Sequence, residues 1–332
     1  MNKNIFFIFL VLVVLIYFFY LNNQKIKPLA VPQKSVRTWQ IKSIDTMKYS
    51  RDLAQEKLND PLFDNIIDDQ IRAIRDTGAN YVAIATPYDE RFFPILNRWV
   101  QAARIYNLSV WFRGNFSGWE GWFGQPKNLT REEHRRLTSQ FIQNHPDLFR
   151  DGDIFTPCPE CENGGPGDPR SGGDVASFRK FMIDEHIAAG QEFQKIGKKV
   201  ATNIVSMNYD VAVLVFDDIT THEMGAVIAV DHYVKTPEKL AQDIDELSSI
   251  TNAKVFLGEM GVPVPEITGY LDSQKQADWL DEALRLLAKQ DKLMGLNYWV
   301  SHGGSTAIFE SNNSPKPAAE ILKKYFSLTN LI

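Results

Sequence analysis

Two short acidic segments are the first places in this sequence where chemistry can be read. Lys254-Val-Phe-Leu-Gly-Glu259-Met-Gly261 is apolar up to its glutamate, so Glu259 enters a setting partly stripped of water, with a small glycine on one side and another close by. Side chains alternate along a strand, so Val255, Leu257 and Glu259 share one face and Glu259 is expected to point inward with them. Asp153-Ile-Phe-Thr-Pro-Cys158-Pro-Glu160-Cys161-Glu162 carries the second acid: Ile154, Thr156, Cys158 and Glu160 share a parity, and Glu162 continues it further out. Two carboxyl groups facing one another across a substrate can divide the labour of breaking a bond. One stays protonated to give a proton to a leaving oxygen, while the other stays ionised to attack carbon. Their environments must then hold their pKa values apart.

Such acids need a regular scaffold, and from Ser35 onward the chain alternates β-rich and helical runs. Strands are predicted at 36–44, 81–86, 108–113, 153–158, 199–206, 226–234, 254–257 and 295–300. Helices are predicted between them. The run 64–76 places Ile67, Ile71 and Ile74 at helical spacing ahead of Thr77-Gly78, and 130–144 opens with the capping pattern Thr130-x-x-Glu133. The stretch after Ser206, up to Met224, has no clear pattern. This alternation predicts an α/β chain folded as a (β/α)8 TIM barrel in one domain over 36–332. A doubly wound open sheet shares the alternation. It would want a Gly-rich phosphate-binding turn after its first strand, and none is present. In a barrel the fourth and seventh strands stand opposite, so their terminal glutamates face one another across its mouth.

The rim residues after each predicted strand are Arg113 and Asn115, Glu160 and Glu162, Asn208, His232 and Tyr233, Glu259, and Trp299. Here the sequence resembles the retaining glycoside hydrolases of clan A, as architecture over most of 36–326 and more closely in local motifs. Val255-Phe-Leu-Gly-Glu259-Met-Gly261 looks like the clan's strand-seven nucleophile segment. His232-Tyr233 is similar to its nucleophile-holding tyrosine segment, and Trp299 resembles its strand-eight tryptophan under the sugar. Pro159-Glu160-Cys161-Glu162-Asn163 sits where the acid/base segment belongs, with Pro159 in the place where the clan usually has Asn. Arg113 would take the part of the clan's arginine near the nucleophile, from a different strand.

The resemblance implies a retaining glycosidase acting on a β-linked glycan by double displacement through a covalent glycosyl-enzyme. Glu259 would be the nucleophile, with Glu160 preferred over Glu162 as acid/base and Tyr233 and His232 in support. Carbohydrate contacts are expected from Trp299, Arg113, Asn115, Trp119, Trp122 and Asn208. In the loop Asn115-Phe-Ser-Gly-Trp119-Glu-Gly-Trp122, glycines between tryptophans suit a stacking platform for sugar rings, or else a loop folded back onto the barrel. A non-catalytic carbohydrate-binding or cell-surface protein on a degenerate barrel is the alternative, and the missing Asn is its best support.

Composition narrows the rest. The 332 residues carry a formal charge of −5, which argues against a nucleic-acid partner, and no protein partner is evident. No metal or cofactor is expected, since the histidines show no ligand spacing and Gly164-Gly-Pro-Gly-Asp-Pro-Arg170 lacks the Gly-Lys-Ser/Thr of a phosphate loop. Cys158-x-x-Cys161 has no second pair to complete a zinc site, which leaves a local disulfide or free thiols. At the N-terminus, residues 5–21 form an unbroken apolar run, enough helix at about 1.5 Å per residue to just cross a membrane core. An uncleaved signal-anchor transmembrane helix at 1–23 and a linker at 24–35 are expected, with the catalytic domain exported to the cell surface. A cleaved signal peptide, and hence secretion, is the competing expectation, although no small-x-small site follows the run.

Overall fold

The eight β-rich runs pair in parallel into a single sheet, seen in a computed structural model that describes residues 39–165, 167–170 and 173–327. The strands are β1 (Ile41–Asp45), β2 (Tyr81–Ile84), β3 (Ser109–Phe112), β4 (Ile154–Phe155), β5 (Ser206–Asn208), β6 (Val227–Asp231), β7 (Lys254–Met260) and β8 (Leu293–Tyr298). They are hydrogen-bonded in the order β4-β3-β2-β1-β8-β7-β6-β5. The ring closes between β4 and the chain leading into β5, where the Phe155 amide donates to Ala201 O (2.8 Å) and the Ala201 amide to Asp153 O (3.0 Å). The result is a (β/α)8 barrel with helices outside. The predicted signal-anchor and linker lie outside the described residues. Among the described residues, no helix is long and apolar enough to cross a membrane.

Two apolar layers hold the barrel. Its lumen is plugged by Ile41, Ala83, Trp111, Ile154, Ala229 and Phe256, so the barrel is filled below its mouth. The outer strand faces pack on the helices: Ile67, Ile71 and Ile74 of Phe63–Asp76 are all buried, as their spacing predicts. Each such side chain contributes about 1.5–3 kcal/mol relative to exposure. The predicted cap is present, with Thr130 Oγ1 accepting the Glu133 amide (3.2 Å) at the start of Arg131–Asn144.

Several strand bounds differ from the prediction, each for a local reason. β4 stops at Phe155 because Pro157 and Pro159 have no amide to donate to a ladder. The predicted strand 199–206 only touches β4 at Ala201, and regular pairing with β6 begins where it ends, at Ser206 opposite Ala229. The unpatterned stretch beyond holds two short helices, Tyr209–Val215 and Asp218–Glu223. The second is capped by Asp217, whose Oδ1 accepts from the Thr220 amide (2.8 Å).

β7 departs most from the simple pleat. Phe256 lies in the lumen, while Val255 and Leu257 face the helices, opposite to the predicted parity. Against β6, Val230 pairs with Leu257 but Asp231 pairs with Glu259; against β8, Leu257 pairs with Leu296 but Met260 with Tyr298. Both neighbours therefore count one extra residue on β7, a bulge at Gly258-Glu259. The bulge exchanges the faces, bringing Glu259 into the lumen and sending Met260 outward. A Cβ on Gly258 would come within 2.5 Å of Asp231 Oδ1 and 2.9 Å of Ser206 Cβ, so only glycine fits the extra position.

Candidate active site

Above the apolar plug the lumen turns polar, and its centre is Arg113, which follows β3 and is fully enclosed. The face of Trp111 lies below it, 4.7 Å from the guanidinium carbon. Nη1 donates to Asp45 Oδ2 (2.8 Å) and Glu259 Oε1 (2.6 Å), and Nη2 to Ser206 Oγ (3.1 Å) and Asp231 Oδ2 (3.2 Å). Arg113 was expected to touch carbohydrate; buried this way, it positions Glu259 instead. One guanidinium is shared by three carboxyl groups. Burial, then the charge of Glu259, pushes Asp231 well above the usual carboxylate range, and its Oδ1 has no hydrogen-bond partner. Burial raises Asp45 as well, against the pull of Arg113.

Glu259 is gripped at both oxygens, since the Tyr233 hydroxyl donates to Oε2 (2.7 Å) while Arg113 holds Oε1. Burial and the Glu259 charge push the Tyr233 hydroxyl well above its ordinary pKa, so it remains a donor. The expected support from His232 is not made by its side chain. That ring stacks on Tyr209 and bonds Asp243 Oδ2 through Nε2 (2.8 Å), and only the His232 backbone amide reaches Glu259, at its carbonyl (2.9 Å). The residue after an inward Asp231 and before an inward Tyr233 must face outward on a strand end.

Glu160 arrives opposite by a turn rather than by strand parity. Its backbone is left-handed (φ 45°), a conformation that costs a non-glycine residue about 1–3 kcal/mol and concentrates at functional sites. The Glu160 amide donates to Ser206 O (2.8 Å), and a disulfide between Cys158 and Cys161 brackets the turn. One oxygen each of Glu160, Asp231 and Glu259 lie within 4.8 Å of one another. Burial first, and the charge of Glu259 second, raise Glu160 to about 8. These three carboxylates are the one grouping among the described residues with the span of a metal site, and Arg113 already donates to two of them.

Glu162, the other acid/base candidate, turns away from the lumen. Its Oε1 accepts the Asn208 amide (2.7 Å), and it borders a small apolar cavity with Phe178, Phe181 and Met182, behind the sheet. Burial lifts it to about 7. Since an unfolded glutamate titrates near 4.3, the native state binds more protons between those values. That contribution to stability is complete below the unfolded pKa and is lost as pH rises through about 7. Urea unfolding from pH 5 to 8 should therefore show a stability decline of up to about 1.4 kcal/mol per pH unit from this group. The decline should be shallower in Glu162→Gln; identical pH slopes in the two proteins would refute it.

The expected carbohydrate contacts divide. Trp299 stands half-buried at the lumen mouth, edge-on to Tyr233 (6.1 Å between centroids) with Lys48 Nζ 5.5 Å from its ring centre. Trp122 is half-buried beneath the Arg51 guanidinium (5.1 Å). Trp119 is no platform: its ring is buried and stacks on Phe181 (5.3 Å), folded back onto the barrel. Asn115 is also fully buried, with Nδ2 donating to Glu120 Oε1 (2.8 Å) and Cys158 Sγ (3.3 Å), and Oδ1 facing His134 Nε2 (2.6 Å). It braces the disulfide turn. Asn208 is half-buried and donates through Nδ2 to Asn163 Oδ1 (3.0 Å).

Sequence reasoning missed Asp45, Ser206, Asp231 and Asn163. Asp231 was within reach, for it ends an apolar strand on the same parity as Ala229, the signal that singled out Glu259.

No protein-family model and no curated protein matches the sequence. Solved structures do resemble it. A GH5_18 from Bifidobacterium longum subsp. infantis superposes with a TM-score of 0.65 at 14% identity, over 89% of this chain and 80% of that one. A GH5_18 variant from Streptomyces cattleya, in complex with Manβ1-4GlcNAc, gives 0.64 at 12% identity, over 87% and 81%. Fungal β-1,4-galactanase gives 0.59 at 14% identity, over 86% and 100%. At these identities the likeness is one of fold, and the chain has the (β/α)8 fold of these clan A glycoside hydrolases.

Proposed function

We propose that the protein is a retaining glycoside hydrolase acting on a β-linked glycan. The observation that carries this reading is the approach of Glu160 and Glu259 to within 4.8 Å, from opposite sides of the lumen mouth. Retaining enzymes hold their carboxyl groups about 5–5.5 Å apart, whereas inverting ones leave about 6.5–9.5 Å for a water. Glu259, aimed by Arg113 and Tyr233, attacks the anomeric carbon. Glu160, raised to about 8, gives its proton to the leaving oxygen at neutral pH. Esterification of Glu259 then removes the charge that helps hold Glu160 up. Its pKa falls, and it becomes the base that activates water for the second step. Trp299 offers its ring to the sugar beside the nucleophile. The proposal places the barrel outside the cell, on the apolar run 5–21 as anchor, and the disulfide suits such an oxidising setting.

The test is a panel of aryl and alkyl β-mannosides, β-galactosides, β-glucosides and β-glucuronides, assayed with the unaltered protein and with Glu160→Ala. Glycosides with poor leaving groups should lose about 10²–10⁴-fold in kcat/KM in the variant, because they need the proton. Dinitrophenyl glycosides should lose far less, and the fall in activity above pH 8 should disappear. No turnover of any glycoside by the unaltered protein, with sugar binding retained, would instead favour a carbohydrate-binding barrel.

A further inference from the structure

The place directly before Glu160 is Pro159, which has no side-chain donor to offer, yet the Glu160 carboxyl is not left without an amide. Asn163, three residues on in the short helix Cys161–Gly164, donates from Nδ2 to Glu160 Oε1 (3.1 Å). The orientation of that amide follows from its other partners. Asn163 Oδ1 accepts from Arg170 Nη2 (2.9 Å) and from Asn208 Nδ2 (3.0 Å). A guanidinium has no acceptor, so the atom facing Arg170 must be the carbonyl oxygen, and the atom facing Glu160 must be NH2. Arg170 is itself braced by Asp168 Oδ1 (2.9 Å).

A protonated carboxyl has one donor oxygen and one acceptor oxygen. An amide N–H pressed on Oε1 makes that oxygen the acceptor, so the proton resides on Oε2. We infer that Asn163 is a positioning residue for the acid/base, selecting Oε2 of Glu160 as the oxygen that carries the transferable proton. The inference rests on the acid/base reading of Glu160. Asn163 is exposed, so its side chain fills no core space, and its removal acts on the carboxyl rather than on the fold. The same bond favours the ionised carboxyl, which sets the direction of the test.

The experiment follows the Glu160 carboxyl by ¹³C NMR titration of the full chain, its resonance assigned by its disappearance in Glu160→Gln. In Asn163→Ala the midpoint should rise from about 8 by roughly one pH unit, as expected for one lost charge-assisted bond. In Asn163→Asp, which sets an acceptor against Oε1, it should rise further. Thermal midpoints should match the parent. On an aryl glycoside, the high-pH limb of kcat/KM should move with the NMR midpoint, kcat should depend more steeply on the leaving group, and KM should hardly change. A midpoint unmoved in both folded variants overturns the inference. The titration needs no turnover, so an unaltered protein that cleaves no glycoside counts against the enzyme reading alone.

Discussion

Glu259→Ala is expected to lose at least about 10⁴-fold in kcat, the scale on which removal of a nucleophile acts. The fold should survive, and thermal unfolding should show a midpoint equal to or above that of the parent. The reason is the charge count around Arg113: one guanidinium faces Asp45, Asp231 and Glu259, so losing one acid relieves repulsion and leaves the cation still paired twice. The space vacated beside the anomeric carbon suits a small anion. Azide should restore turnover of an activated aryl glycoside and give a glycosyl azide of inverted configuration, because it enters from the face the carboxylate used. Hydrolysis at the parental rate in this variant would remove Glu259 from the mechanism. A rescued product of retained configuration would remove double displacement.

The opposite substitution should be the most damaging in the protein. Arg113→Met fills similar volume but leaves three buried carboxyls without their shared cation. Breaking a buried ion pair by deleting one partner costs about 3–5 kcal/mol, a large part of a typical folding free energy of about 5–15 kcal/mol. Low yield and a sharply lowered urea midpoint are expected. The loss should be smaller at pH 5 than at pH 8, since Asp45 and Asp231, which burial already raises, can then take up protons. Arg113→Lys should recover only part of it, because one ammonium cannot reproduce a planar fork spread over four acceptors. A loss of equal size at both pH values would show that packing, not charge, is what Arg113 supplies.

The scaffold was legible because its signals are local. Ile67, Ile71 and Ile74 repeat with the helical period, Thr130 caps with its own side chain, and eight such alternations leave few architectures. The site was legible in its residues more than in its geometry. Glu259 was expected inward together with Val255 and Leu257, yet those two face the helices. Glu259 points inward for a different reason, the bulge, which shows only in the registers of β7 against β6 and β8 and not in its own run of residues. Glu160 and Glu162 share a parity on paper, but strand geometry ends at Pro157, and the left-handed turn at Glu160 sends them to opposite sides of the sheet wall. Trp119 sits among glycines as an exposed ring would. Its partner Phe181 comes from another helix more than sixty positions away, which no local pattern can announce.

The extra residue in β7 has an evolutionary corollary. Removal of the single codon for Gly258 would give a strand of uninterrupted pleat, with Phe256 inward, Leu257 outward and the acid inward again. A descendant could therefore drop this triplet and keep the acid aimed into the lumen, whereas exchanging it for one that encodes a side chain would drive a Cβ against Asp231 and Ser206.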